Sequence, residues 1–431
     1  MILSNQKFNW LDLIPNHWVV DKIKDHFYFS DIQTEHFENY PVLSLTMSGV
    51  KKRNMDTNEG QLPESYEKYN LVDSSCLVFN PMDLISGWVD VPKTEGLISP
   101  SYRTIKSKSE ETNLHFIKYY FQSLYKEKVL FHFGEGVHYE YRWGLGKETL
   151  KNFPIPVPPK EEQEKIVTYL DIKKTQVDKL TNKIGQKIKL LKEQKTSLIN
   201  EVVTKGLNPD VEMKKSDIEW IGETPSHWEK SKLKYKGDFF SGYSFDSNDF
   251  ISEGEIRVLK ISNIQNNGIS WSDLHYLPES FYHTHQNFIV NKGDLVFSLT
   301  RPIISTGIKV CFFNEEYKTL LNQRNSVFRP DESSVIKRFL FYLVRTFSFV
   351  EEFKQQLKET NQPNISTEQI SNIIMFFPPI NEQQKIVEYL DEQTQKIDET
   401  ILKEEKRIEL LKEYKQSLIS EVVTGKKRVV G

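Results

Sequence analysis

Cationic and aromatic side chains alternate at several points of this chain, and their chemistry suits a polyanion. In the first half, "SGVKKRN" places Lys51, Lys52 and Arg53 after a glycine, "SPSYRTIK" carries Tyr102 and Arg103, and "YEYRWG" carries Arg142. In the second half, "SGYSFDSNDF" holds Gly242 and Tyr243, and "IRVLKISNIQNNG" holds Arg257, Lys260 and Asn263. "SLTRP" and "NQRNS" add Arg301 and Arg324. Lys and Arg neutralise phosphates, while Arg, Asn, Gln and Ser can read base edges. Any one of these stretches is equally a solvated charged loop. As a set spread over both halves they favour nucleic-acid binding. The net charge of −3 decides nothing, because acidic helices can offset a basic surface elsewhere.

Residues for bond-making chemistry are harder to find. "FNPMD" (Phe79–Asp83) has the Asn-Pro of an amino-methyltransferase loop but lacks its second proline and its aromatic, and reads as a strand-end turn. "RWGLGKET" (Arg142–Thr149) has a Gly-Lys pair without the glycine spacing of a phosphate-binding loop. His283 and His285 stand in a polar stretch with no Cys or His at metal-ligand spacing, and are expected to be solvated. Cys76 and Cys311 lie in apolar surroundings in different halves, as small buried hydrophobes of a reducing compartment. No apolar run of about 18 residues and no cationic-then-apolar leader is present, so the expectation is a cytoplasmic chain without a membrane span.

The elements that must position these side chains come as a duplication. "PPKEEQEKIVTYLD" at Pro158 nearly recurs as "PPINEQQKIVEYLD" at Pro378, and Pro158–Thr204 aligns without gaps with Pro378–Thr424 at 25 identities in 47 positions. A second echo opens each half: Trp10, Pro15, His17, Trp18, Lys22 and Lys24 match Trp220, Pro225, His227, Trp228, Lys232 and Lys234. The prolines stop a strand and suit a helix entry, and acidic residues follow in the first turn. Apolar residues then recur every seven: Leu170, Val177, Ile184, Leu191 and Leu198 in one copy, Leu390, Ile397, Leu411 and Leu418 in the other, with Glu404 breaking the second series. Such a period predicts two long helices, each spanning roughly 64 Å at ~1.5 Å per residue, paired as a coiled coil; the alternatives are two separate amphipathic helices in larger cores, or a zipper between copies of the chain. Glu404 is expected to face Lys183 or Lys187, or to mark a partner contact. Between these shared ends the two middles diverge and read as mixed α/β from short runs such as "CLVF", "IRVLKIS" and "DLVFSLT".

The sequence resembles the specificity subunit of type I restriction-modification enzymes. "NFPIPVPPKEEQEKIVTYLD" (Asn152–Asp171) and "NIIMFFPPINEQQKIVEYLD" (Asn372–Asp391) carry the resemblance. "YPVLSLTMSGV" (Tyr40–Val50), Tyr69–Tyr102 and "NFIVNKGDLVFSLTRP" (Asn287–Pro302) add to it, in the family's order along nearly the whole chain. The resemblance implies a mixed α/β (α+β) fold: two globular target recognition domains, joined by a long antiparallel two-helix coiled coil in pseudo-two-fold arrangement. The boundaries implied are recognition domain 1 at 1–157, helix 1 at 158–207, recognition domain 2 at 208–377, and helix 2 with a tail at 378–431. Each domain would read one half of a bipartite double-stranded DNA target, the coiled coil setting the spacer. The chain itself would have no catalytic site and bind no cofactor. Two modification subunits would bring S-adenosylmethionine for adenine N6 methylation, and two restriction subunits would use ATP and Mg2+ to cleave. Arg257, Lys260, Asn263 and Arg301 would serve one half-site; Lys51, Lys52, Arg53, Tyr102 and Arg103 the other. Glu162–Gln163 and Glu382–Gln383, taken as exposed, are candidates for docking the modification subunits. Ser75–Cys76 stands where the family carries Gly-Asp, as in Gly293–Asp294, which puts that turn's shape in question. The alternatives are an enzyme with a divergent site in one middle, and a coiled-coil scaffold with no DNA role.

Overall fold

The computed structural model describes residues 14–54, 65–85, 87–136, 144–265, 268–304, 307–357 and 363–429. Trp10 and Arg142 lie outside them. The chain forms two compact units, residues 1–185 with 405–431, and residues 186–404. The divisions fall inside the long helices rather than at their ends.

In the first unit, β1 (Val19–Lys22) leads through β2 (Phe27–Phe29) to a hairpin of β3 (Leu43–Thr46) and β4 (Gly49–Lys52). After it come β5 (Cys76–Phe79), β6 (Val89–Asp90), β7 (Arg103–Ser107), helix α1 (Leu114–Lys126), β8 (Pro154–Val157) and helix α2 (Lys160–Lys205). An antiparallel sheet has the order β2-β7-β5-β6, and β1 pairs antiparallel with β8. The "CLVF" run is buried at all four positions, as a central strand packed on both faces should be. α1 buries ten consecutive residues, and its N-terminus is capped by Asn113, whose side chain accepts from His115 and Phe116 N–H.

The second unit repeats this plan. β9 (Glu229–Lys232) pairs with β15 (Ile374–Phe377), as β1 does with β8. A sheet of β10 (Gly237–Ser241), β14 (Asn325–Pro330), β12 (Leu295–Ser298) and β13 (Val310–Phe312), in that order, matches the first. A further strand, β11 (Ile256–Leu259), runs parallel to Thr319–Leu321. Helix α3 (Lys337–Leu343) occupies the place of α1, and helix α4 (Ile380–Val423) follows β15.

The predicted stripes are the buried faces of α2 and α4. In the first unit, Ile166 and Leu170 share a core with Leu418, Val422 and Val423, and Val177 and Ile184 are also buried. In the second, Val202 and Val203 share a core with Ile386, Val387 and Leu390. Full burial of one such side chain contributes ~1.5–3 kcal/mol. Leu191, Ile397 and Leu411 are only half-buried, because a helix pair without a globular layer over it cannot cover its own seam, and Leu198 is half-buried against the second unit's core. Within each unit the helix segments run antiparallel, and one ion pair recurs: Lys415–Asp178 in the first, Lys195–Asp398 in the second, both at 2.6 Å. Glu404, the break in the stripe, is buried and meets Lys187 Nζ at 2.6 Å, as expected. Glu404→Leu restores the apolar period, and Lys187, 54% exposed, keeps its hydration. A rise in thermal midpoint worth about 1 kcal/mol is expected; a clear fall in a melting experiment would show the pair to be net stabilising.

Both cysteines are unpaired and buried. Burial pushes the Cys311 thiol up to about 12. The doubted turn is resolved by an exchange of charge. In the second unit, Asp294 accepts two hydrogen bonds from Arg329 (3.1 and 3.0 Å) and one from Asn291 N–H. In the first, Cys76 takes the place of Asp294. Asp73, three residues earlier, takes over the acceptor role, receiving Ser75 N–H and lying 3.7 Å from Lys106.

Candidate nucleic-acid interface

In the second unit, the C-terminal ends of β10 and β12 and the N-terminal end of β14 emerge at one end of the sheet, and four candidate residues sit there. Gly242 N–H donates to Asn325 O, and Tyr243 N–H to Leu321 O at 2.9 Å. A Cβ at Gly242 would lie 2.2 Å from Asn322 O, so the close crossing of these segments demands glycine. The Tyr243 ring is 40% exposed and packs against Phe245, His285 and Phe288 at 4.6–5.2 Å. Arg324 O accepts from Leu299 N–H, which brings the Arg324 loop beside the segment that carries Arg301. Both arginine side chains are exposed. Arg301 has φ +47°, the left-handed region, and its N–H donates to Pro363 O. A non-glycine residue held there costs ~1–3 kcal/mol, and such strain clusters at functional sites.

The remaining candidates of this unit have other occupations. Asn263 is fully buried: its side chain accepts from Lys260 N–H and donates to Ser270 O and Asp273 O, so it braces a turn and is not a surface reader. Lys260 Nζ lies 2.8 Å from Asp273, which it holds below the usual carboxylate range, and 2.8 Å from His275 Nδ1. Its charge is already matched. The Arg257 guanidinium lies over Tyr317, 3.2 Å from the ring centroid, with Trp271 at 5.0 Å. Of the two histidines, His283 is exposed, as expected, and His285 is half-buried. His283 is in a short helix, Glu279–Thr284, and His285 stacks on Phe281 at 5.1 Å and 10°.

In the first unit, Lys51 and Lys52 are exposed on β4, and Arg53 follows with its N–H on Val42 O. Tyr69 and Tyr102 have hydroxyls raised by burial, and the Arg53 charge acts on both, so the three form one cluster. Arg103 opens β7, and its Nε is buried without a partner among the described residues. "FNPMD" is a strand-end turn: Asn80 accepts Met82 N–H, and Asn80 O takes the Tyr125 hydroxyl at 2.6 Å.

The repeated motifs fasten each unit to its helix. His17 Nε2 lies 2.9 Å from Glu162, and His227 Nε2 2.8 Å from Glu382, which also accepts Trp228 Nε1. Gln163 and Gln383, expected to be exposed, are fully buried. Each accepts a backbone N–H ahead of the domain helix (Asn113, Ile336) and donates to the proline carbonyl before its own helix (Pro158, Pro378). They cannot touch a docking subunit while these bonds hold; Glu162 and Glu382 are about a quarter exposed and engaged by histidine. Asp171 and Asp391, ending each "YLD", accept Tyr119 and Tyr342 hydroxyls. Sequence reasoning missed these clasps, although the joint repetition of His-Trp, Glu-Gln and Leu-Asp was their signal.

A family model for the type I restriction modification DNA specificity domain matches residues 91–190 and 225–411. The chain belongs to that family. The specificity subunit of type I restriction enzyme MjaVIII from Methanocaldococcus jannaschii is 32% identical over 286 residues, covering 66% of this chain and 64% of that protein. The EcoAI specificity subunit from Escherichia coli is 30% identical over 206 residues, covering 48% and 34%. The chain thus matches less than two thirds of either relative's length. Among solved structures, one from work on complex assembly and conformational transition of the type I R-M system covers 96% of this chain and 99% of its own, at TM-score 0.72 and 15% identity. The HsdS subunit from Thermoanaerobacter tengcongensis covers 96% and 98% at TM-score 0.55 and 14% identity. At these identities the likeness speaks for the fold alone: mixed α/β units with two long helices. No described helix of this specificity-family chain is long and apolar enough to cross a membrane.

Proposed function

We propose that this chain is the DNA-reading specificity component of a type I restriction-modification complex. Each unit reads one half of a bipartite duplex target, and the α2–α4 pair sets the spacer. The chain directs adenine N6 methylation and ATP-dependent cleavage by two modification and two restriction subunits, in the cytoplasm. The observation that carries this reading is the match of the specificity-domain family to both halves of a chain whose two units repeat one plan. S-adenosylmethionine, ATP and Mg2+ belong on the partners, in keeping with a sequence that has no glycine-rich phosphate loop. Methylation requires the adenine to leave the stack, so this chain's task is to hold and orient the duplex.

Arg301, Arg324, Gly242 and Tyr243 form the reading edge of the second unit; Lys51, Lys52, Arg53, Tyr102 and Arg103 serve the first. Arg257 is fixed by its aromatic neighbours and supports the fold of the reading domain. With the co-expressed modification subunit, the complex shifts duplex DNA and methylates two half-sites at a fixed spacing, read out by methylome sequencing. The chain alone transfers no label from S-adenosylmethionine. Arg301→Ala with Arg324→Ala is expected to weaken binding roughly tenfold or more and to flatten the salt dependence. Unchanged affinity and salt slope would move the reading edge elsewhere.

A further inference from the structure

The first unit holds a cleft of about 650 Å³ beside a place where the two units carry different side chains. In the second unit, Phe312 stacks on Phe341 with centroids 4.7 Å apart, and the Arg345 guanidinium lies 3.6 Å over Phe341. The matching positions follow from shared contacts. Tyr119 and Tyr342 both donate to the helix aspartate, and Gln122 and Arg345 both donate to the first carbonyl of the edge strand, Val89 O and Val310 O. Phe341 therefore corresponds to Lys118, Arg345 to Gln122 and Phe312 to Val91. Two aromatic rings and a guanidinium thus stand in the second unit where the first has Val91, Lys118 and Gln122, and Gln122 lines the cleft.

The lining is an apolar body with a cationic wall. Trp88, Met47 and Ile419 supply apolar surface, and Lys126, Lys174 and Lys412 stand around it, with the Glu413 carboxylate beside Lys412 in the chain. Lys126 Nζ lies 5.4 Å from the Trp88 ring. Lys415 and Asp178 neutralise each other, and Asp90 accepts Val50 N–H. Behind the wall, Lys118 is buried to 8% exposure, with its Nζ 4.2 Å over the Tyr119 ring and Lys174 at 6.0 Å from the same ring. Neither ammonium has a carboxylate within 4.0 Å among the described residues; Lys118 Nζ lies 3.3 Å from His115 Nδ1, and the Asp90 and Asp171 charges act on it from farther away. Burial lowers both the Lys118 ammonium and the His115 ring. Buried charges are normally paired. Gln416 lines the cleft too, and its Nε2 donor is buried with no acceptor.

We propose that this cleft binds a small organic anion, a planar apolar body lying against Trp88 with its acidic group toward Lys174. The volume suits one such molecule. Met47, Ser48 and Gly49, the tip of the β3–β4 hairpin, form one wall, and helices α2 and α4 another. A bound ligand therefore tethers the hairpin whose far end carries Lys51, Lys52 and Arg53. Through it, the ligand tunes recognition of that half-site, a consequence that rests on the DNA-reading proposal.

The test uses the full chain and the aromatic anion anilinonaphthalene sulfonate, followed by its own emission and by quenching of tryptophan. Saturable binding of one molecule per chain is expected. Lys174→Gln should weaken it at least about fivefold, and the neutral analogue phenylnaphthylamine should bind correspondingly less well. Val91→Phe, Lys118→Phe and Gln122→Arg together, which copy the second unit's side chains, should abolish it. Non-saturable binding, equal affinity for the neutral analogue, or unchanged binding in Lys174→Gln overturns the site, whether or not the triple variant folds. Repeating the half-site titration at saturating probe tests the tether separately: no effect there, with binding intact, overturns the tuning and leaves the site standing.

Discussion

Gln383→Ala is expected to destabilise the second unit by about 3 kcal/mol, out of proportion to the few atoms removed. Its side chain is fully buried and completes three hydrogen bonds: from Ile336 N–H at 2.8 Å, and to Ser334 O and Pro378 O at 3.1 and 2.9 Å. Truncation leaves a donor and two acceptors in a site closed to water, and each unsatisfied group costs ~1–3 kcal/mol. Gln163→Ala should behave alike, because the same three bonds run to Asn113, Glu111 and Pro158. Gln383→Glu separates bonding from volume. It keeps the shape but turns a donor into an acceptor facing two carbonyls, and should be no better tolerated than alanine. A chain of two units need not unfold in one step. Hydrogen exchange of amides near Ile336 and Pro378 is therefore the sharper measurement, and protection unchanged from the parent would refute the clasp.

Arg329→Met should be comparably severe, at about 3–5 kcal/mol, because it strands the buried Asp294 carboxylate. Asp294 is 4% exposed and accepts both arms of the guanidinium. Removing both charges, as Arg329→Met with Asp294→Asn, should recover part of the loss, since the cost lies in the unpaired ion rather than in the missing attraction. The equivalent pair in the first unit is 3.7 Å long, and its aspartate is 43% exposed. Lys106→Met should accordingly cost under ~1 kcal/mol. Denaturant titration of the three variants decides the matter; equal losses in the two units would mean that burial is not the controlling variable.

The helices and their order were legible because their signals are local and periodic. A proline pair, a first-turn acid and a seven-residue apolar period mark α2 and α4 without any knowledge of their partners. The short strands "CLVF" and "DLVFS" were visible as apolar runs between turn residues. The candidate site was legible in part. Arg301, Arg324, Gly242 and Tyr243 come together because three strand ends meet, which depends on the sheet order and not on spacing. Asn263 looked like a reader because Asn can bond bases, yet the same capacity lets it close its own turn. Gln163 and Gln383 looked exposed beside charged neighbours. Their burial follows from the loop ahead of α1 and α3 arriving over the helix start, a long-range event that helix periodicity cannot report.

The pairing of β1 with β8, and of β9 with β15, has a consequence for how such a chain can change. Val19 lies opposite Val157 and Lys22 opposite Pro154, so the backbone enters and leaves the first globular domain through adjacent strands; Glu229 opposite Phe377 and Lys232 opposite Ile374 do the same for the second. Everything between each pair is a cassette with a single narrow seam. A replacement that preserves the seam, the His–Glu and Gln clasps and the tyrosine that reaches the helix aspartate can differ elsewhere in strand length, loop sequence and charge. The divergence of the two middles beside nearly identical helix starts is what such a socket permits.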